Sequence, residues 1–597
     1  MQKKTLFKID FKTFKFFFNY LRYRLFLSLF LSLLVAIFDA FGLVMLLPLF
    51  QLMKGNSLAS GNGLGKLNIL VSALLKLGVA YTLFNVMVII ISAFILKGVL
   101  RFCDTFYNVY LQALLVRKLR VGAIDKLSTY NYKNFGGSNA GYCQNSLGEE
   151  INRISLAAQH FFIMLSNGTM IVACLVFSLF ANFQFSLLII IGSLIINVWY
   201  QVLYKKTKAY SVVYTEKAQD FQSLLLQQVF HFKYLKATNL MRLYTQKVKS
   251  SIADMEKITR KMAFLSSLVL AVREPLAVLL IISTLFVELA FFKQPFAALF
   301  LSLLFFIRVI TYIMQLQMSW NSFLQLYGSV DNHQNFIADL ERGREPSGKM
   351  AFSVFKNKIT LNDVHFFYGE TPIIKGISLE INKNETIALV GKSGGGKTTL
   401  VNIITGLLPI DQGELLIDGV PIADLDILTY RDRIGYITQD PVIFDDTIYN
   451  NITCWSDRSA DNVKKYLAVL EQANLNDYEQ SLALREDTML GTSGANLSGG
   501  EKQRITIARE LFKAIDILVI DEGTSSLDSE TANVINESIA NLKGMLTIII
   551  IAHNLRTIKN ADRVILLKQG KIENIGSFEF LEANSAVFKR MIQLHNL

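Results

Sequence analysis

At 597 residues the chain has room for two or three domains, and 52% hydrophobic against 18% charged residues is too apolar for a wholly soluble enzyme. The formal charge of +12 raises nucleic acid as a partner, but basic residues flanking membrane spans give the same excess, so no polynucleotide partner is expected. The four cysteines, Cys103, Cys143, Cys174 and Cys454, lack CxxC or metal-ligand spacing and read as reduced packing residues.

After a basic start, residues 25–50 carry Asp39 as their only charge and residues 77–96 carry none. Each run can cross a bilayer at about 20 residues per helix. The first shows no small-residue cleavage site, so it is expected to be retained as a span. Residues 154–204 contain no Asp, Glu, Lys or Arg, enough for spans three and four with a hairpin near Asn182, Phe183 and Gln184. Residues 276–292 and 296–317 form spans five and six, turned at Lys293, Gln294 and Pro295. Lysine and arginine collect before span one and between spans four and five, which places both segments, and hence both chain ends, in the cytoplasm.

Residues 101–153 and 205–261 are too long for simple loops and mix apolar with charged residues, so they are expected to continue the spans into the cytoplasm. On the outer side Leu67, Leu70, Val71, Leu74 and Leu75 fall at helical spacing. They suit either a short amphipathic surface helix or an extension of span two. A polar, turn-prone stretch at 341–350 marks a linker, dividing a membrane domain at 1–340 from a soluble domain at 351–597.

The soluble domain opens its chemistry at Gly391-Lys392-Ser393-Gly394-Gly395-Gly396-Lys397-Thr398-Thr399, which follows a strand-like run and matches GxxxxGK[ST] in full. Glycines let backbone N–H groups curl around phosphates, and the helix N-terminus adds favourable partial charge. Lys397 is expected to neutralise the outer phosphates, and Thr398 to supply a hydroxyl to Mg²⁺. The apolar run 517–520 ends in Asp521 and Glu522, as a buried parallel strand does at an active edge. Asp521 would hold Mg²⁺ through water and Glu522 would polarise the attacking water.

Between these lies Leu497-Ser498-Gly499-Gly500-Glu501-Lys502-Gln503-Arg504, a second glycine turn opening a helix. It resembles the signature of the ATP-binding-cassette (ABC) family, usually LSGGQ. The resemblance implies an all-α six-helix transmembrane domain followed by an α/β P-loop nucleotidase, with ATP and Mg²⁺ as cofactors. By position in the family's motifs, Tyr368 would stack on adenine, Gln439 would reach Mg²⁺, Asp528 would belong to the dimer-contact loop, and His553 would contact the terminal phosphate. Ser498, Gly499 and Gly500 would close over ATP held by a partner subunit, here expected to be an identical copy. Glu501 stands where Gln is usual, Gly523 and Ser526 where Ala is common, and Asn554 where Arg is common. Gly491-Thr492-Ser493-Gly494 lacks the acidic residue exporters usually carry there.

Resemblance to type IV ABC exporters also implies coupling helices near 139–147 and 226–236, and ATP-driven alternating access in a bacterial inner membrane. An amphipathic cargo is expected, with a lipid or lipid-linked oligosaccharide favoured. A multidrug or peptide exporter and an ATP-gated channel or regulator are the alternatives. Intramembrane charges mark candidate substrate contacts at Asp39, Arg273 and Arg308. Arg308 lies about 18 Å of helix below Phe296, a depth suited to a lipid phosphate. An Asp39–arginine packing pair and snorkelling of the two arginines explain the same residues.

Overall fold

The computed structural model describes residues 11–53, 82–136, 140–181, 183–287, 296–521, 537–552 and 558–595. The chain divides into two compact units, the first running to Tyr130 and from Gly137 to Arg344, the second comprising Asn131–Gly136 and Glu345–Leu597.

Six long helices build the first unit among the described residues: α1 (Arg24–Val44), α2 (Leu83–Ser128), α3 (Glu149–Ala181), α4 (Phe183–Phe230), α5 (Met241–Val287) and α6 (Phe296–Arg342). A chain in hydrocarbon must satisfy its backbone internally, so long uncharged runs become helices. Five of the six contain a stretch apolar enough to cross a membrane, and α4 opens with the uncharged run 183–204. The first expected span is two helices: α1 stops at Val44, and a second helix, Leu46–Met53, carries Pro48 in its first turn, where proline is tolerated. Thr82 caps α2, its hydroxyl accepting from the Asn85 N–H at 3.3 Å. The amphipathic segment at 67–76 lies outside the described residues.

One apolar core joins Val35 and Ala40 of α1, Met170 and Cys174 of α3, Leu280 of α5 and Phe305 and Val309 of α6. Another gathers Leu111 and Leu115 of α2, Ile154 and Phe161 of α3, Tyr200 of α4 and Phe323 of α6. Helices α4 and α6 meet closely at Gly328, where a Cβ would stand 2.5 Å from the Ser211 carbonyl oxygen. Phe84, Ile91, Ile95 and Phe102 of α2 are exposed, which suits a lipid-facing surface. All four cysteines are free. Cys174 packs in the core as expected, but Cys103 and Cys454 are exposed, so a packing role does not extend to them.

The second unit holds a four-stranded antiparallel sheet, ordered β2-β1-β4-β5, and a six-stranded sheet, ordered β10-β9-β3-β8-β7-β6. The strands are β1 (Lys358–Tyr368), β2 (Thr371–Asn382), β3 (Thr386–Val390), β4 (Gln412–Ile417), β5 (Val420–Pro421), β6 (Ile434–Ile437), β7 (Ile517–Asp521), β8 (Thr547–Ile551), β9 (Arg563–Lys568) and β10 (Lys571–Gly576). Strands β3, β6, β7, β8 and β9 run parallel, and only β10 is antiparallel in its sheet as described. Every residue of β3 and β8 is buried, the run of apolar residues expected of a parallel strand covered on both faces. Two further helices bear on the site: α7 (Lys397–Ile404) and α8 (Gly499–Phe512).

Candidate functional site

Strand register assembles the site. Leu389 pairs with Ile551, Ile551 with Asp521, and Ile520 with Ile437. The carboxyl ends of β3, β8, β7 and β6 therefore share one edge, where ligands bind in open α/β sheets. That edge carries Gly391 one residue past β3, Asp521 as the last residue of β7, and Gln439 two residues past β6. Glu522, Asp528 and His553 lie outside the described residues.

The loop from Gly391 to Gly396 is folded around Lys397. The ammonium is buried and donates to the Gly391 carbonyl at 2.8 Å and the Lys392 carbonyl at 3.2 Å. Gly391 has φ +147°, and a Cβ there would stand 2.2 Å from the Leu567 carbonyl oxygen, so only glycine fits. Lys392, Ser393 and Gly394 are exposed, as is Thr398 in the first turn of α7. Tyr436 of β6 donates its phenol to Asn402 of α7 at 3.3 Å, tying the strand before Gln439 to the helix after the glycine loop. Burial first, and then the negative charge of Asp521, push that phenol above its ordinary range.

Tyr368 ends β1, 44% exposed, with its ring edge-on to Phe366 at 4.9 Å between centroids. Beside it is the helix Tyr132–Phe135, capped by Asn131, whose side chain accepts from the Asn134 N–H at 2.8 Å. Lys133 reaches Asp411 at 3.4 Å and sits 4.6 Å from the centre of the Phe366 ring, while Asp411 accepts the Phe367 N–H at 2.7 Å. The part of residues 101–153 that groups with the second unit is thus Asn131–Gly136, ahead of the stretch at 139–147 expected to do so. The helix Ala140–Leu147 belongs to the first unit, and Asn139 lies outside the described residues. A four-residue helix has no periodicity to read, and this explains the displacement.

Ser498 is the N-cap of α8, and Glu501 completes a capping box: the serine hydroxyl accepts from the Glu501 N–H at 3.3 Å, and the Glu501 carboxylate from the Ser498 N–H at 2.7 Å. The residue unusual for the family signature therefore has a structural role, but it sets a negative charge at a helix end suited to an anion. Glu501→Gln keeps both capping bonds and removes that charge. It is expected to lower the KM for ATP by about 2- to 5-fold, with an unchanged unfolding midpoint, in steady-state ATPase assays paired with thermal denaturation. An unchanged or raised KM would count against a phosphate meeting this helix end.

The intramembrane charges resolve differently from one another. Asp39 is wholly buried, paired with Lys97 of α2 and accepting the Tyr312 hydroxyl of α6 at 2.7 Å. Its partner is a lysine, not an arginine, and its carboxylate is closed to any cargo in this conformation. Arg308 is half-buried, near Tyr312 and Cys174. Arg273 is also half-buried, donating to the Met314 carbonyl at 3.3 Å, and its Nε has no hydrogen-bond partner among the described residues. A second polar layer joins α1 to α2, with Ser32 donating to Asp104 at 2.9 Å and Ser28 to Asn108 at 2.6 Å.

A six-helix apolar unit joined to a largely parallel sheet with a glycine loop, an acidic strand end and a serine-capped helix that opens on two glycines defines a membrane transporter of the nucleotide-binding type. The family profiles agree: residues 25–320 match the ABC transporter transmembrane region and residues 374–525 match the ABC transporter domain. The chain belongs to the ABC transporter family and has the exporter architecture. It is 41% identical over 237 residues to an ATP-dependent lipid A-core flippase of Syntrophus aciditrophicus, covering 40% of this chain and 39% of that protein. The chain thus matches about two fifths of that relative's length. Similarity to the heterocyst differentiation ATP-binding protein HepA of Nostoc is lower, 27%, but extends over 509 residues, 85% of this chain and 84% of that one. The fold is that of a bacterial Atm1-family ABC exporter solved with ATP bound, at a TM-score of 0.79 and 20% identity, over 97% of this chain and 99% of that one.

Proposed function

We propose that this protein is half of an ATP-driven exporter, acting as a homodimer in a bacterial inner membrane with its nucleotide unit in the cytoplasm, and that it moves a lipid or lipid-linked oligosaccharide between leaflets. The observation that carries the reading is the shared strand edge, which gathers the glycine loop, Gln439 and Asp521 in a chain whose other half is apolar helices.

The loop from Gly391 to Thr399 cradles the phosphates with backbone N–H groups, and Lys397 sets a positive charge against the outer ones. Tyr368 stacks on adenine. Thr398, Gln439 and Asp521 offer oxygen donors that suit a hard cation, and no cluster of three His, Cys, Asp or Glu side chains stands among the described residues. Such a donor set fits Mg²⁺ held jointly with phosphate oxygens; bound there, the ion would neutralise charge developing on the phosphates. Glu522 takes a proton from the attacking water, and His553 steadies the terminal phosphate. By likeness to the family's motifs, Ser498, Gly499, Gly500 and Asp528 complete the partner subunit's site, the backbone N–H groups at the head of α8 facing its phosphates. The two sites together make ATP binding favour the closed pair, and a ligand moves an equilibrium only by binding the two states differently.

The lipid-class cargo is supported by likeness to the flippase of Syntrophus and by half-buried Arg273 and Arg308, cations suited to a phosphorylated headgroup. Reconstitution in liposomes tests the whole reading. ATP-dependent transfer of a phosphorylated glycolipid between leaflets, abolished by Glu522→Gln, is expected. Transfer of a hydrophobic drug alone would favour the multidrug alternative, and ion conductance that survives Glu522→Gln would overturn the pump.

A further inference from the structure

The last turn of α8 grips both sides of the Gln439 loop. Before the loop, the Tyr436 N–H of β6 donates to Glu510 at 3.4 Å, and Glu510 is buried and paired with Lys513 at 2.8 Å. After the loop, the buried Arg509 guanidinium donates from Nε to the Asn451 carbonyl at 2.6 Å, from Nη1 to the Val442 carbonyl at 2.7 Å, and from Nη2 to the Asn451 side-chain oxygen at 2.9 Å. It also lies 5.0 Å from the centre of the Phe444 ring. Asn451, wholly buried, completes the net: its amide donates to the carbonyls of Phe444 and Thr447, each at 3.0 Å, and its oxygen accepts the Phe444 N–H at 2.9 Å. Thr438 bridges across Gln439 to the Asp440 carbonyl at 2.7 Å. Gln439 itself is exposed.

A buried arginine is costly to desolvate, and a planar fork satisfied by three acceptors from one segment fixes that segment in angle as well as distance. The other end of the same helix is Ser498, about 16 Å away along the axis. An α-helix this short, packed by Ile505, Ile507, Ala508 and Phe512 in the core, moves as one piece.

We infer that Arg509, with Asn451 and Glu510, is a positioning element that ties the signature at the head of α8 to the Gln439 loop at its foot, so that the partner's ATP, meeting Ser498, sets the geometry of the chain's own cation and water site. The inference rests on the ATP-hydrolysis reading and deepens it: occupancy of one site of the dimer adjusts the other through one helix. Arg509 is buried on Val442 and Asn451 and acts only through the loop.

Arg509→Lys keeps the charge but replaces the planar fork with a single nitrogen that cannot span the same three acceptors, and Asn451→Ala removes the side-chain acceptor while leaving the arginine. In full-length protein, amide hydrogen exchange at 438–447 is expected to quicken by about 10-fold in both variants, with β3, β7 and β8 amides unchanged. At saturating ATP, the Mg²⁺ concentration for half-maximal ATPase is expected to rise by about 5-fold or more, while binding of a fluorescent ATP analogue without Mg²⁺ stays the same. Exchange that quickens across the whole unit, or turnover that falls with the folded fraction at an unchanged Mg²⁺ requirement, would assign Arg509 to general stability and overturn the inference. Wild-type protein that hydrolyses no ATP would instead defeat the functional reading, leaving the exchange result to decide the clamp.

Discussion

Lys97→Met is expected to remove most folded protein from the membrane, because it strands the wholly buried Asp39 carboxylate between α1, α2 and α6 with the Tyr312 hydroxyl as its remaining hydrogen-bond donor among the described residues. Breaking a buried pair by deleting one partner costs about 3–5 kcal/mol, a large share of the stability of any one domain. Asp39→Asn is milder, since an amide still accepts from Tyr312 and the remaining ammonium is partly exposed. Combining Asp39→Asn with Lys97→Met leaves no charge at all. The double variant is therefore expected to recover yield and unfolding midpoint well above Lys97→Met alone. Detergent-extracted yield and thermal unfolding, read as a double-mutant cycle, measure the coupling. A loss in the double variant equal to the sum of the two single losses would show that the charges act independently, and that the node is not a packing pair.

The second large effect is chemical. Lys397→Met is expected to lower ATP turnover by about 10²- to 10³-fold, the usual consequence of losing one preorganised charge aimed at the reacting phosphate. The buried ammonium also answers the Gly391 and Lys392 carbonyls, so its loss loosens the loop before nucleotide arrives. Two measurements separate these contributions. ATPase rate reports the charge, and the rise in unfolding midpoint on adding ATP and Mg²⁺ reports binding, which stabilises in proportion to occupancy. Lys397→Arg keeps the charge but not the fit between two carbonyls, and is expected to retain part of the ligand-induced rise with little turnover. Wild-type turnover in Lys397→Met would remove this residue from the mechanism.

What could be read from the sequence was whatever is written locally. Uncharged runs long enough to cross a bilayer became α1 to α6, and the glycine loop was legible because strand, loop and helix follow one another without interruption. The charged continuation of the spans was legible too, since α2 and α5 carry apolar and basic residues in one unbroken helix. Partnerships across the fold were not. Lys97 stands 58 residues from Asp39, on the next helix, and nothing in either run fixes their register. An Asp39–arginine pair is one reading the sequence allows, and Arg308 does lie near Tyr312, but the ion pair of Asp39 is made by Lys97. The place of Asn131–Gly136 is not legible in the sequence because its single turn is set by a local asparagine cap and by Lys133 docking on Asp411, a contact that spans 278 residues. Arg509 did leave a trace: a charge set among Ile505, Ile507, Ala508 and Phe512 is misplaced unless something buried answers it.

The length of the helices in the first unit has a mechanical meaning. Helices α2, α4, α5 and α6 contain 46, 48, 47 and 47 residues. At about 1.5 Å per residue they reach roughly 70 Å, so about 40 Å of each extends past a hydrocarbon layer of about 30 Å. Each is a lever whose long arm lies outside the bilayer. A pivot of about 10° near the membrane boundary would sweep its far tip by about 7 Å. The gearing runs in the useful direction: a displacement of several ångströms at the far tip arrives in the bilayer as a shorter, more forceful one, the kind needed to part tightly packed helices.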